Sequence, residues 1–321
     1  TTIYPPVAEA VFALSSWIKP WDLTVWRLII LAFELVTVGL LSCILRHINR
    51  SSVWIILYWW NPIVIFEFSN AAHMDAILLP FLIAALYFAR KSRRPYASTI
   101  CLAIGTAIKL WPVLLLPTFL RQHPQPRIFA TVFVVFSSLV AILLWPFLAQ
   151  AFHEGAGLKA YGVTWERNAA LFHGGLGVLS AGLDSLGLYT LDAGKLVRAC
   201  TGAIIILTAL CINLQASLDT ETLARRIIIV IAALLLLGPT MYPWYYTWMV
   251  PLLVIVPSRA MLAFSVVLPL YRLQFHPWFL DNPWYFTDII VWLEQGPILI
   301  LLCIEWRASR HRNIHGAEQT A

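Results

Sequence analysis

The sequence predicts an all-α membrane protein with about eleven transmembrane or half-transmembrane helices, and three observations carry that prediction. Of 321 residues, 60% are hydrophobic and 12% charged. Soluble domains run at about 45–50% apolar and about 25% charged, so this little charge cannot cover a water-facing surface. Apolar runs reach the length of about 20 residues that a helix needs to cross a bilayer. The cations are also sorted, recurring after alternate apolar runs. Together these exclude a soluble enzyme, a secreted disulfide scaffold, a disordered chain and a nucleic-acid reader. The net charge of +6 then concerns which loops hold the cations rather than binding to nucleic acid.

Four runs are long enough outright: 25–45, 128–148, 196–215 and 287–306. Seven are shorter or broken: 53–68, 76–89, 96–108, 112–120, 227–241, 246–257 and 260–271. Pro62, Pro80, Pro112, Pro117, Pro239, Pro243, Pro251 and Pro269 lie in or beside them. Irregular backbone survives at membrane depth only when it is buried in protein or lines a wet cavity, so paired broken helices predict an internal cavity. If the chain starts outside and every run crosses, one side receives Arg46 and Arg50; Arg90, Lys91, Arg93 and Arg94; Arg121 and Arg127; Arg225 and Arg226; Arg259; and Arg307, Arg310 and Arg312. These are 14 of the 22 Lys+Arg, and the positive-inside rule makes that side cytoplasmic. The expected organisation is one polytopic membrane domain, 1–306, and a loosely ordered cytoplasmic tail, 307–321. Within the long outer segment 149–195, Leu176, Leu179, Leu183 and Leu186 have the spacing of an amphipathic helix lying on the outer membrane surface. Residue 1 is Thr, with no basic n-region or signal-type apolar run behind it. The chain is therefore expected to be a piece of a longer protein whose N-terminus is missing.

The polar groups at the outer helix ends are where chemistry is expected. His73-Met74-Asp75 sits between two apolar runs, behind Glu67 and Asn70. Ionisable groups at that depth cost about 2.5–3.5 kcal/mol each on insertion scales and mark function by default, although Asp75 also suits a plain helix cap. Lys109 lies in wholly apolar flanks just before Pro112. There it either meets a phosphate as a point charge or snorkels to the interface. Tyr161 to Asn168, with Trp165, Glu166 and Arg167, combines an aromatic platform with polar tips, which suits a sugar ring; interfacial belt residues are the plainer account. The stretch Met241–Trp248, with Trp244 and Tyr245 after Pro243, reads as a turn entering the cavity or as a belt. Glu9 is the one carboxylate in the first twenty residues. Asp22, at the head of the 25–45 helix, is expected to be a cap or an interfacial residue. The five cysteines have no CxxC spacing, and no zinc-type spacing or nucleotide motif occurs, so no disulfide, metal site or cofactor is expected.

Five stretches, in order, resemble a family of bacterial integral-membrane glycosyltransferases. These are the GT-C type enzymes, in particular the polyprenyl-phosphate-mannose-dependent mannosyltransferases. The stretches are Thr2-Ile3-Tyr4-Pro5-Pro6 through Glu9; Tyr58-Trp59-Trp60-Asn61-Pro62 with Glu67 and His73-Met74-Asp75-Ala76; Ala103–Pro117 with Lys109 and Pro112; Leu158–Tyr161 through Trp165 and Asn168; and Pro243-Trp244-Tyr245 through Trp248 and Pro251. The resemblance implies a GT-C-like fold in the bacterial inner membrane, with its active site on the outer, periplasmic face. It implies hexose transfer, with mannose as the sugar, from a polyprenyl-phosphate donor to a glycan or glycolipid acceptor. In the family a catalytic Asp is expected ahead of the Tyr-Pro-Pro stretch, upstream of Thr1. That leaves Glu9 and Asp75 as the in-chain candidates and predicts that residues 1–321 alone are inactive. His73, Asp75, Lys109, Trp165, Arg167, Asn168, Trp244 and Tyr245 become candidates for donor or sugar binding. The rival expectation is a multi-pass transporter or flippase, since broken helices with ionisable groups suit one. The partners expected are a lipid-linked donor, an acceptor and membrane lipids.

Overall fold

The computed structural model describes residues 2–90, 94–123, 125–151, 157, 162, 165–213 and 219–318. Among them every regular element is helical, apart from one isolated β-bridge between Arg167 and Thr240. Lys91, Arg93 and the part of the predicted outer segment from 152 to 164, with Leu158 to Tyr161, lie outside the described residues, save Gly157 and Gly162.

Helix starts follow the local chemistry. α1 (Pro6–Ile18) opens with proline, whose missing N–H is not needed in a first turn. α2 (Leu23–His47) is capped by Asp22, whose carboxylate accepts from the Thr24 and Val25 N–H groups, the first of its two expected roles. The next run is broken. α3 (Ser52–Trp59) and α4 (Pro62–Asn70) meet at a bend of 51°. The bend falls where Pro62 lacks an N–H and the Asn61 side chain accepts from Ile63 N–H. α5 (Leu78–Arg90) is entered through a tight turn at Met74–Ile77, and α6 (Pro95–Ile108) and α7 (Trp111–Leu120) are separated at Lys109. α8 (Pro126–Ala151), α9 (Ala170–Ser185) and α10 (Ala193–Cys211) follow. α11 (Thr220–Leu237) is capped by Asp219 and closes at Gly238-Pro239. Short α12 (Pro243–Tyr246), α13 (Val250–Ile255) and α14 (Arg259–Val267) lead through tight turns to α15 (Val291–Glu318).

Four helical stretches are long and apolar enough to cross a membrane: Leu23–His47, Pro126–Ala149, Ala193–Cys211 and Pro283–Ala308. The bent α3–α4 pair makes a fifth. The other runs form shorter helices, so length licenses four or five crossings where eleven full or half crossings were expected.

The burial pattern suits lipid as solvent. α5 is apolar all round and buried, with Leu78, Leu79, Ile83 and Leu86 fully covered between α2 and α6. α8 and α10 instead expose Phe133, Ile142, Trp145, Ile204, Leu207 and Leu210. An apolar face of that extent is matched by acyl chains and mismatched by water.

Two details depart from the sequence reading. The leucine stripe of α9 faces protein: Leu176 and Leu179 pack on the cluster of Ala169, Phe172 and Val197, Leu183 is buried, and Leu186 lies exposed beyond the helix end. The last helix also continues through Glu318, past Arg307 where a loose tail was expected.

Several of the cations predicted to share a side bond to neighbouring elements. Arg50 donates to the Ile255 carbonyl and to Glu221, Arg90 donates to Gln122, and Arg121 lies close enough to Arg226 to repel it.

Candidate active site

Lys109 ends α6 in an extended conformation (φ −151°, ψ 133°). This turns its side chain out of the helix line and across to the turn at Met74–Ile77. There Nζ lies 2.6 Å from Asp75 Oδ1, which also accepts from Trp248 Nε1 at 2.6 Å. Asp75 is 2% exposed and the Lys109 side chain 18%. Asp75 is therefore no helix cap: the cap position belongs to His73, which makes no capping bond with its side chain. The Lys109 ammonium also sits 4.3 Å from the Tyr245 ring centre and 4.8 Å from that of Trp248, and Trp111 stacks on Trp248. An ammonium has three donors, and its ring contacts leave it open to a further anion.

The neighbouring turn, Asn70–Asp75, is pinned by the start of α2. Trp26 Nε1 donates to the Ala72 carbonyl and Arg27 to that of Asn70, both at 2.8 Å. Ala72 takes a left-handed φ of 57° there. His73 stacks on Trp244 at 4.0 Å, and Trp244 stacks on Tyr242 at 4.3 Å. Behind them Arg272 donates to Glu67 Oε1 at 2.7 Å, while His73 Nε2 approaches Oε2 at 3.3 Å without hydrogen-bond geometry. Burial lowers the His73 pKa to about 4. Arg272 and Lys109 add to that effect and Asp75 opposes it. The imidazole is thus neutral at pH 7, and its contact with Glu67 is not an ion pair.

A third wall comes from the bridge. Arg167 N–H donates to the Pro239 carbonyl at 3.0 Å, and Met241 N–H to that of Arg167 at 2.9 Å. Thr240 Oγ1 donates to the Trp165 carbonyl. Trp165 meets Tyr242 edge-on, and the Arg167 guanidinium faces the Tyr242 hydroxyl.

These walls enclose a cavity of about 690 Å³. Of the predicted residues, Lys109, Trp165, Arg167, Trp244 and Tyr245 line it. Asp75 and His73 stand one layer behind, holding Lys109 and backing Trp244. Asn168 is turned elsewhere: it is buried and its amide donates to Glu294 at 2.7 Å. Glu9 is not among the lining residues and accepts from Thr2 Oγ1 at 2.6 Å. Tyr161 lies outside the described residues. Sequence reasoning held Tyr242 and Trp248 only as members of the Met241–Trp248 turn, and missed Tyr271 as a wall residue and Arg272 as the partner of Glu67. The described lining holds two cations, Lys109 and Arg167, and no carboxylate. Ile205, Leu234, Leu235 and Phe275 give it an apolar side.

The model of the family described as GT87, glycosyltransferase family 87, matches residues 2–239. That span contains His73, Asp75, Lys109, Trp165, Arg167 and Asn168. No curated protein and no solved structure matches the chain.

Proposed function

Because the chain belongs to glycosyltransferase family 87 and is therefore a membrane glycosyltransferase of the GT-C type, we propose that it transfers a hexose, mannose by resemblance, from a polyprenyl-phosphate donor to a hydroxyl of a glycan or lipid acceptor. The observation that carries this reading is a cavity with two cations, no carboxylate in its described lining, aromatic walls and an apolar side. Phosphate calls for the cations, a sugar ring for the aromatic faces, and an isoprenoid chain for Ile205, Leu234 and Leu235.

In the reaction, an acceptor oxygen attacks the anomeric carbon and the bond from that carbon to the phosphate oxygen breaks. The polyprenyl phosphate leaves, and the hydroxyl proton passes to a general base within about 2.6–3.2 Å. Lys109 and Arg167 neutralise the charge gathering on the leaving phosphate. Trp244, Tyr245 and Trp165 hold the sugar. Asp75 aims Lys109, and His73 supports Trp244. Asp75 is held by Lys109 and Trp248, and Glu9 is not among the described lining residues, so the base is sought ahead of the Tyr4-Pro5-Pro6 stretch, as the resemblance implies. The cavity opens on the outer, periplasmic face, the Arg50–Arg90–Arg121 end is cytoplasmic, and the shorter helices act as half-crossings around the cavity.

The test is a proteoliposome assay of the full-length protein, rather than residues 1–321 alone, with mannose-labelled polyprenyl phosphate and a glycolipid acceptor. Label is expected to move covalently to the acceptor, with Lys109→Met raising the donor KM by about tenfold or more, the loss of one charge-assisted contact, and leaving the acceptor KM within about twofold. Label that crosses the bilayer still attached to its original carrier would instead support transport.

A further inference from the structure

We propose that Glu294 and Gln295, on the last long helix, are positioning residues for the transfer: they lock the register of the 165–169 segment so that Arg167 faces the donor phosphate. The proposal rests on the reading of the cavity as the donor site.

The segment lies outside any helix, with one bridge at Arg167, so its polar groups need partners from elsewhere. Arg167 finds them on Pro239 and Met241. The next two groups are met by one side chain. Gln295 Nε2 donates to the Asn168 carbonyl, and Gln295 Oε1 accepts from Ala170 N–H at 3.0 Å. The Gln295 amide thus stands in for a missing strand. Beside it, Glu294 Oε1 accepts from Asn168 Nδ2. Glu294 and Gln295 are both 0% exposed. Asn168 has a φ of 51°, a left-handed conformation that asparagine tolerates better than most residues. It turns the chain directly after Arg167 into α9.

The consequence is one of alternation. Side chains along extended backbone point to opposite sides in turn. Trp165 and Arg167 line the cavity, while Glu166 points away and pairs with Arg198 at 2.6 Å. A slip of one residue would reverse every side chain. It would withdraw Trp165 and Arg167 and bring the Glu166 carboxylate to a phosphate site. A single bridge is a weak guard against such a slip, and the buried clamp on Asn168 and Ala170 supplies the rest. Stability alone does not account for the clamp. Among the described residues Asn168 Oδ1 and Glu294 Oε2 have no hydrogen-bond partner, and apolar packing commonly matches or exceeds a buried polar cluster in stability.

The experiment reads register directly and does not depend on turnover. In protein with its five native cysteines replaced by serine or alanine, single cysteines are placed by Glu166→Cys or Arg167→Cys, and labelling rates with a charged thiol reagent are measured with and without Gln295→Leu. Gln295→Leu is expected to slow labelling at 167 and speed it at 166, each by about fivefold or more, the factor for two lost hydrogen bonds. Asn168→Gly keeps the left-handed turn, leaves the Gln295 bonds to the backbone, and removes the side-chain contacts to Glu294 and Met241. It should show the same change at both positions, and it stands in should Gln295→Leu fail to fold. In the transfer assay Gln295→Leu should raise the donor KM with kcat little changed, and should add nothing in an Arg167→Ala background. Unchanged labelling at both positions in folded protein, or additive KM effects, would overturn the proposal. If labelling shifts as expected but no donor-dependent transfer is found, the clamp stands and the donor reading fails.

Discussion

At the scale of single residues, the site turns on one buried ion pair. Lys109 was legible because a lysine between wholly apolar flanks, just before a proline, has few ordinary explanations. Asp75 was legible as an ionisable group, but its partner was not: 34 positions separate it from Lys109, and a capping role explained it equally well. Removing one member of a buried pair strands the other, at a cost of about 3–5 kcal/mol. Lys109→Met should therefore lower stability by that order in denaturant titration, and adding Asp75→Asn should recover most of it. Equal stability of the single and double variants would contradict the cost assigned to leaving the buried Asp75 carboxylate without its cation. His73 yields a pH prediction. The unfolded chain takes up a proton at about 6.5, whereas burial keeps the folded imidazole neutral down to about 4. The unfolded state thus binds more protons in that window, and stability falls as pH drops from about 6.5 to about 4. His73→Gln should flatten that part of a melting-temperature profile in detergent, and an unchanged slope would refute the assignment.

At the scale of elements, hydropathy located all four long spans because a run of that length has one ready use. Short runs are ambiguous by nature: 53–68 proved to be a bent pair, and 246–257 holds one short helix, Val250–Ile255. The α9 stripe shows the same limit. Its leucine spacing correctly announced a helix, but periodicity does not say whether the apolar face meets lipid or protein, and here it meets Phe172 and Val197. Element ends also carry predictions. Gly238 closes α11 with its N–H on the Leu234 carbonyl. A methyl group there would come within 2.5 Å of that same oxygen. Gly238→Ala should force the backbone at Pro239 to move, lower stability by about 1–3 kcal/mol, and weaken donor use, because Gly238, Pro239 and Thr240 all line the cavity. Wild-type melting and donor KM in this variant would contradict that placement.

At the scale of the whole molecule, composition alone gave the environment, and burial agrees with it: the candidate spans expose apolar side chains while α5 hides them. The convergence of the site was not legible. Lys109, Trp165, Arg167, Trp244 and Tyr245 come from three distant stretches, and nothing in one sequence states that they share a cavity. The aromatic and cationic character of each stretch was visible, whereas their meeting depends on the bends at Asn61, Lys109 and Gly238. The central claim is that this cavity is where a lipid-linked sugar phosphate sits. Its most direct test is photocrosslinking of the purified protein with a diazirine-bearing polyprenyl-phosphate sugar, followed by mapping of the adducts by mass spectrometry. The account predicts adducts on the cavity wall, at Trp165, Trp244, Tyr245 or Leu234, competed away by unlabelled donor and reduced by Lys109→Met. Competable adducts confined to residues away from that wall, and indifferent to Lys109, would contradict it.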